Sequence, residues 1–379
     1  MIIQLLVVLG ALVIGARYGS LALGAISGIG LAILVFGFQL KPGTPPTDVI
    51  YIIIAAVTCA GVLQASGGMD WMIQIAERLL RKHPDRITLL APLTTFLLTV
   101  MVGTGHVVYT LMPIICDIAL KKGIRPERPC GIASIASQIG ITCSPISAAV
   151  VAFSSISALN GFNISNVQVI MVTIPACLLG ILAAVAYSWH RGKDLDKGPA
   201  FQAKLKDPKQ FAYIYGGSAS TLDKQISKES KRAVYIFLAA LLIIVIFSFC
   251  TMAGHNILPA WNEVEVVKGG PATVTLANGA TESAKQLAKA GVVAMLPLAY
   301  QLGIPGWVLL GIMPSVYGYF FIPNYPSDIA TVNFDRSGTT VIGKYLFNHS
   351  FMAPGLIHTF TATVCGYFIS YLFHTMGLY

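Results

Sequence analysis

Apolar runs dominate the chain, and polar residues fall between them in short clusters. A hydrocarbon layer about 30 Å thick needs about 20 helical residues to cross it. Runs that suit such helices cover 2–16, 21–39, 49–66, 87–120, 130–158, 168–189, 233–253, 291–323 and 351–377. The first two are short, Gly-rich and separated only by Arg17 to Ser20, which predicts a tight helical hairpin. Between 69 and 85 the pattern changes. Trp71, Met72, Ile75, Leu79 and Leu80 recur at helical spacing beside Glu77, Arg78, Arg81 and Lys82, which predicts an amphipathic helix lying at a membrane surface.

Composition sharpens this reading. Of the 379 residues 55% are hydrophobic and 11% charged, with a mean hydropathy of +0.73; a soluble globular chain carries about 25% charge. This excludes a soluble enzyme, a disordered chain and a secreted disulfide scaffold. It predicts an all-α polytopic membrane protein whose partner is the lipid bilayer. The net charge of +9 does not point to nucleic acid, because Lys and Arg gather in a few short loops. Cys59, Cys116, Cys130, Cys143, Cys177, Cys250 and Cys365 sit singly in apolar sequence without a C-x-x-C pair, the pattern of buried thiols rather than of a metal site or disulfide. Met1 to Gly15 lacks the basic n-region of a cleavable signal and reads as membrane sequence.

Three loops are basic: 78–86 and 121–128 hold four Lys/Arg each, and 190–232 holds ten against five acids. Placing all three in the cytoplasm puts both termini in the periplasm and returns 87–120 to the side it left. That stretch is too long for one span, so it must enter and come back, as a re-entrant hairpin or as two tilted helices. The chain then divides into a first membrane half (1–189), a polar cytoplasmic linker (190–232) and a second half (233–379) with a polar outer insert (254–290). Within the insert, 264–283 predicts two short strands with Gly turns, followed by a helical turn.

Chemistry is expected where membrane helices are interrupted, because the freed backbone groups must be satisfied by protein, water or ligand. Three interruptions stand out: Gly103-Thr104-Gly105-His106, the segment from Ser137 and Gln138 through Thr142 to Ser144-Pro145, and the segment from Phe321 to Tyr325-Pro326-Ser327-Asp328. The last two belong to an internal repeat. Leu111-Met112-Pro113, Gly123-Ile124-Arg125-Pro126 and Ser144-Pro145 run parallel to Met295-Leu296-Pro297, Gly303-Ile304-Pro305 and Tyr325-Pro326-Ser327. Paired broken helices in two halves point to a transporter site near the bilayer midplane, whereas the same strings also suit proline kinks packed against neighbours. Half-helix N-termini favour an anion.

Several side chains keep two readings. Asp117, the one carboxylate in a predicted span, is a functional acid, a helix cap or a partner of Arg125. His106 relays a proton or makes a structural hydrogen bond; His358 and His374 read as packing or interfacial residues. Arg336, with Ser337, Thr339 and Thr340, receives a carboxylate in a bidentate fork, or pairs with Asp335 or Asp328. No metalloprotease, serine-hydrolase or phosphate-loop motif is present, so no enzyme, ATP-driven pump, metal or cofactor is expected.

Seven strings carry a family resemblance: LQASGG at 63–68, GTGHVVYT at 103–110, IRPERP at 124–129, RGKDLDK at 191–197, YPSD at 325–328, FDRSGTT at 334–340 and NHSF at 348–351. With them the chain resembles the anaerobic C4-dicarboxylate transporter (Dcu) family of bacterial inner membranes, within the ion-transporter superfamily, over 1–250 and about 291–375. The resemblance implies secondary transport of fumarate, succinate, malate and aspartate, by fumarate/succinate exchange or proton-coupled uptake. It also implies two inverted repeats, each with a re-entrant hairpin and a broken helix, and a homodimer by analogy. The chain departs from the family at 254–290, where polar sequence stands in place of further apolar helices and a second hairpin, so the second repeat reads as incomplete. The alternative is therefore a transport-inactive descendant with a binding or regulatory role. A monovalent ion channel or antiporter would want more intramembrane acids than Asp117. As a substrate ligand, Arg336 should matter far more for succinate binding than Arg128, by about 1.5–3 kcal/mol for a charge-assisted hydrogen bond.

Overall fold

The computed structural model describes residues 3–4, 6–8, 10–11, 14, 20–40, 54, 58–159, 161–162, 164–217, 219–252, 273–275, 281–283, 296, 299–300, 302–318, 320–321, 325–343 and 348–378. The chain falls into two compact units, Met1–Pro46 with Val267–Ala294, and Thr47–Val266 with Met295–Tyr379. In the first, helix α1 (Ser20–Ala32) runs into a π-helical turn, Ile33–Gly37. Gly30 lies so close to Ala11 that a Cβ would come within 2.9 Å of the alanine's, the close crossing that small residues permit and that the hairpin expectation requires. The same unit holds a two-stranded antiparallel ribbon, β1 (Thr273–Thr275) and β2 (Thr281–Ser283), with Val274 opposite Glu282. Both lie within 264–283, where two strands are expected; the helical turn expected from Glu282 gives way to strand at Glu282–Ser283, and the rest of it lies outside the described residues.

In the second unit, α2 (Gly68–Lys82) is followed by α3 (Ile87–Val102) and α4 (Val108–Lys121), then α5 (Glu127–Ile139), α6 (Ala148–Leu159) and α7 (Asn166–Ser188). The linker carries short helices α8 (Pro199–Leu205) and α9 (Pro208–Tyr215). Beyond it come α10 (Lys228–Met252), α11 (Gly306–Gly311), α12 (Pro326–Phe334) and α13 (Met352–Thr375). Among the described residues five helical stretches are long and apolar enough to cross a membrane: Pro84–Val102, Glu127–Ser157, Asn166–Ser188, Lys228–Phe247 and Met352–Thr375. Their outward side chains include Tyr235, Ile236 and Leu242 of α10, and Phe360, Phe368 and Leu372 of α13, all exposed. Apolar surface on that scale suits hydrocarbon, not water. The chain is a multi-pass helical membrane protein.

Three sequence expectations change in detail. The helix α2 forms as read, but Met72, Ile73, Ala76 and Leu80 are buried in a core with α3 and α4, leaving Ile75 and Leu79 exposed. Its Glu77 is buried as well. It accepts hydrogen bonds from the Thr221 amide (2.8 Å), the Thr221 hydroxyl (2.7 Å) and Arg81 (2.7 Å), and so pins the linker to α2. Burial raises the pKa of this carboxyl, and the hydrogen bonds from Thr221 and Arg81 outweigh it to leave the value below the ordinary one. The run 291–323 forms no continuous helix among its described residues. Gly303 takes a left-handed φ of 76°, and six residues of α11 give way to a 3-10 turn, Met313–Tyr317. Pro305, Pro314 and Gly318 explain the fragmentation, since each interrupts or weakens the α-helical ladder. Nor are all the cysteines isolated: the sulfurs of Cys116 and Cys130 lie 3.0 Å apart as free thiols between α4 and α5.

Helix α7 begins at a capping box in which the Gln168 amide donates to the Ser165 hydroxyl and the Ser165 amide to Gln168 Oε1. It packs along α13. Glycines set that approach: a Cβ on Gly180 would stand 2.8 Å from the His358 carbonyl, and His358, buried, donates to the Cys177 carbonyl at 3.2 Å. Gly366 of α13 faces the Gly311 carbonyl of α11 with no room for a Cβ. Gly366→Val is therefore expected to cost about 1–3 kcal/mol through overpacking, seen as a lower melting temperature in detergent with helical content retained.

Candidate functional site

The loop that joins α3 to α4 is built by two glycines. Gly103 caps α3 in the left-handed region, at φ 79°, and its amide donates to Thr99 at 2.8 Å, a conformation that glycine adopts without strain. Thr104 is extended, and a 3-10 turn over Gly105–Val107 opens α4. The second break follows α5. Gly140–Cys143 tightens into a 3-10 turn and Ser144 becomes extended, as a residue before proline should. Gly140 fits tightly against Thr99, where a Cβ would approach 2.8 Å. The third break precedes α12, whose first position is Pro326.

These three interruptions, far apart in sequence, meet. A Cβ on Gly105 would lie 2.8 Å from the Ser137 carbonyl and 3.3 Å from Gln138 Nε2, so the tip of the α3–α4 hairpin rests on the end of α5. Gln138 Nε2 in turn donates to Ser327 Oγ at 3.1 Å, and Ser134 Oγ donates to Asp328 Oδ1 at 2.7 Å. Gly103 lies against Ser144 and Ile146. Ser137 is buried and donates to the Ser134 carbonyl; Thr142 is buried and donates to Ile139. Among the described residues Thr99 Oγ1, Ser144 Oγ and Asp328 Oδ2 are buried with no hydrogen-bond partner. Buried polar atoms are ordinarily paired; six further side-chain atoms away from the breaks, Thr340 Oγ1 and His358 Nδ1 among them, are likewise without a partner among the described residues.

The remaining candidates sit elsewhere or are already engaged. Tyr325 is buried, and its hydroxyl donates to the Tyr317 carbonyl at 2.7 Å. Phe321 is exposed, and Pro323 and Asn324 lie outside the described residues. His106 is exposed beside Tyr109, with ring centroids 6.0 Å apart. The loop from Asp335 to Thr340 docks at the opposite end of α5. Asp335 accepts from the Ser337 hydroxyl, Thr339 Oγ1 (2.8 Å) and the Thr340 amide (2.6 Å), and Glu127's amide donates to Thr339 Oγ1 at 3.2 Å. From Glu127 to Gln138 is about 16 Å at the helical rise. Ser337, Thr339 and Thr340 are therefore not brought together with Gln138 and Ser327. Arg336 donates to the Gly217 carbonyl of the linker at 2.8 Å, instead of pairing with Asp335 or Asp328.

Other charges read from the sequence find structural partners. Asp117 pairs with Lys121 (3.0 Å) and Arg81 (3.3 Å), while Arg125 pairs with Glu127 (2.6 Å). Arg128, read as a loop charge, is buried and donates to Asp194 (2.7 Å) and to the carbonyls of Arg191 and Gly192 (2.8 Å each). A cavity of about 280 Å³ between the linker and the Ser337–Thr339 loop includes Arg125, Lys193 and Lys204 in its lining; it does not reach the three breaks. Among the described residues no three His, Cys, Asp or Glu side chains converge as metal ligands.

Sequence reasoning missed Thr99, Tyr109 and Ser134. Two were within reach, since Thr99 and Ser134 lie four residues before Gly103 and Gln138, on the same helical face as each break.

The chain matches the family described as anaerobic C4-dicarboxylate membrane transporters over residues 1–268 and again over 264–374. It is 37% identical to the anaerobic C4-dicarboxylate transporter DcuB of Escherichia coli, with 98% of each chain covered. It is 29% identical to the C4-dicarboxylate transporter DcuA of Wolinella succinogenes, covering 98% of this chain and 99% of the relative. The DcuB alignment extends over 439 positions, more than the 379 residues here, so that relative has residues this chain lacks. The two family blocks meet at 264–268, inside the polar insert. No solved structure matches the chain. By the extent of the family match and its identity to DcuB, the chain belongs to the family of anaerobic C4-dicarboxylate membrane transporters.

Proposed function

We propose that this protein is a secondary carrier of C4-dicarboxylates such as fumarate, succinate, malate and aspartate in the bacterial inner membrane, and that its substrate site lies where the three helix breaks meet. The observation that carries this reading is the contact of Gly105 with Ser137 and Gln138, together with the hydrogen bond from Gln138 to Ser327. Gly103, Thr104 and Gly105 offer close backbone approach, while Ser137, Gln138, Ser144 and Ser327 offer hydrogen bonds to carboxylate oxygens. Thr142 supports the turn between them.

The hairpin reading is supported by the length of α4. At 1.5 Å per residue, α4 extends about 21 Å, short of a layer about 30 Å thick, whereas α3 with the turn before it, Pro84–Val102, is long enough to cross. The repeat is supported by matching turns. Gly123 and Gly303 both take left-handed φ, at 71° and 76°. Ile124 and Ile304 both donate five residues back, to Ala119 and Ala299, at 2.9 and 3.1 Å. Both turns lead to a proline and then a helix. The basic loops support cytoplasmic placement of 190–232 with both termini periplasmic, and the halves 1–189 and 233–379 joined by that linker remain the proposed organisation. A homodimer follows only from analogy with the superfamily.

Gln138→Ala and Ser327→Ala should each weaken succinate binding by about 10- to 100-fold, the effect of losing one hydrogen bond to a charged group, with little change in melting temperature. Titration of purified protein in detergent measures this, and unchanged affinity in both variants would place the site elsewhere. A second reading, a binding protein without flux, is favoured by the residues missing relative to DcuB and by the division of the family match into two blocks that overlap at 264–268.

A further inference from the structure

Asp328 is ill suited to be a ligand for a dicarboxylate. It is 1% exposed. Its Oδ1 accepts from Ser134, and its Oδ2 has no partner among the described residues. Its neighbour Ser327 holds Gln138, so a dianion seated at that pair would lie beside this carboxylate. Like charges in a poorly solvated setting repel strongly, and a buried carboxylate without a cation is itself unfavourable. Among the described residues α4 and α5 pack against α12. From α4 comes Tyr109, within electrostatic range of Asp328, while Asp117 and Lys121 lie at the far end of that helix. From α5 comes Ser134, with Glu127 and Arg128 about 9 Å further along the axis. No Lys, Arg or His among the described residues forms an ion pair with Asp328.

Building on the carrier reading, we propose that Asp328 is the proton-binding site that couples dicarboxylate uptake to the proton gradient. A proton arriving from the outer solution bonds to the carboxylate when the site faces outward, removing the charge beside the entering dianion. When the site faces inward the same O–H bond breaks and the proton leaves to cytoplasmic water, so one proton enters with each substrate this residue serves.

The test compares wild type, Asp328→Asn and Asp328→Glu in proteoliposomes, with succinate uptake driven by an acid exterior, by an inward sodium gradient at equal pH, or by internal fumarate. The wild type should accumulate succinate under the pH gradient. Asp328→Asn should lose at least ten-fold of that accumulation, yet still exchange succinate for fumarate with a rate no longer dependent on pH. Asp328→Glu should recover part of the proton-driven uptake. Proton-driven accumulation by Asp328→Asn equal to wild type would overturn the assignment, as would accumulation driven by sodium instead. Loss of exchange together with uptake in Asp328→Asn, at an unchanged melting temperature, would make Asp328 a substrate ligand and overturn it too. Wild type that exchanges but ignores the pH gradient also overturns it. Wild type that neither exchanges nor accumulates would instead refute the carrier reading.

Discussion

Gly105→Val is expected to abolish dicarboxylate transport while leaving the helices in place. The position has no room, because even a single added carbon would lie 2.8 Å from the backbone carbonyl of Ser137, and a carbonyl held in a helix cannot swing aside. The hairpin tip must then lift from α5 and carry Gly105 away from Gln138. Overpacking of this kind costs about 1–3 kcal/mol, a fraction of the roughly 5–15 kcal/mol that stabilises a typical native protein. A misplacement of about 1 Å among positioned groups can nevertheless cost about 100-fold in rate. Uptake by reconstituted protein reads the loss, and circular dichroism reads the retained helices. Gly105→Ala should fall between wild type and valine. If valine at this position transported normally, the contact between hairpin and broken helix would have no part in the site.

Arg128→Ala is expected to lower stability by about 3 kcal/mol. Its guanidinium is buried and makes three charge-assisted hydrogen bonds, to Asp194 and to two carbonyls of the chain entering the linker. Removing one partner of such an arrangement typically costs about 3–5 kcal/mol. The lower end applies because Asp194 is partly exposed and can rehydrate. Arg336→Ala, which gives up one hydrogen bond to Gly217 at the surface, should cost about 0.5–1.5 kcal/mol. Thermal unfolding in detergent orders the two. This reverses the rank that a loop charge and a substrate ligand would have, and equal melting temperatures would contradict it.

That reversal shows where sequence stops being informative. Arg128 and Arg336 look alike in the chain, each a cation within a short polar string. Burial decides between them, and burial depends on where 191–194 returns in space. The helix breaks were legible because Gly, Pro and Ser inside apolar sequence have strong local consequences: Gly103 and Ser144 took the conformations their neighbours dictate. Their convergence was not legible, since the bond from Ser134 to Asp328 joins residues 194 positions apart. The same limit split the candidate residues into two groups at opposite ends of α5. Length misled at 291–323, where apolar content suggested one long helix while closely spaced Gly and Pro left short turns among the described residues.

The missing residues bear on whether the cycle still runs. The family match divides into two blocks that overlap at 264–268, and the breaks that meet at Gln138 come from 103–106, 137–145 and 325–328, all away from that division. A site assembled from those three segments keeps its hydrogen-bonding groups without the absent part, so both readings expect binding and flux is what separates them. Radiolabelled succinate uptake into proteoliposomes at equal pH on both sides, preloaded with fumarate or left empty, tests this most directly. The carrier reading predicts uptake that requires internal fumarate. No uptake from protein that unfolds cooperatively and still binds succinate would contradict it, and would leave a dicarboxylate-binding membrane protein without flux.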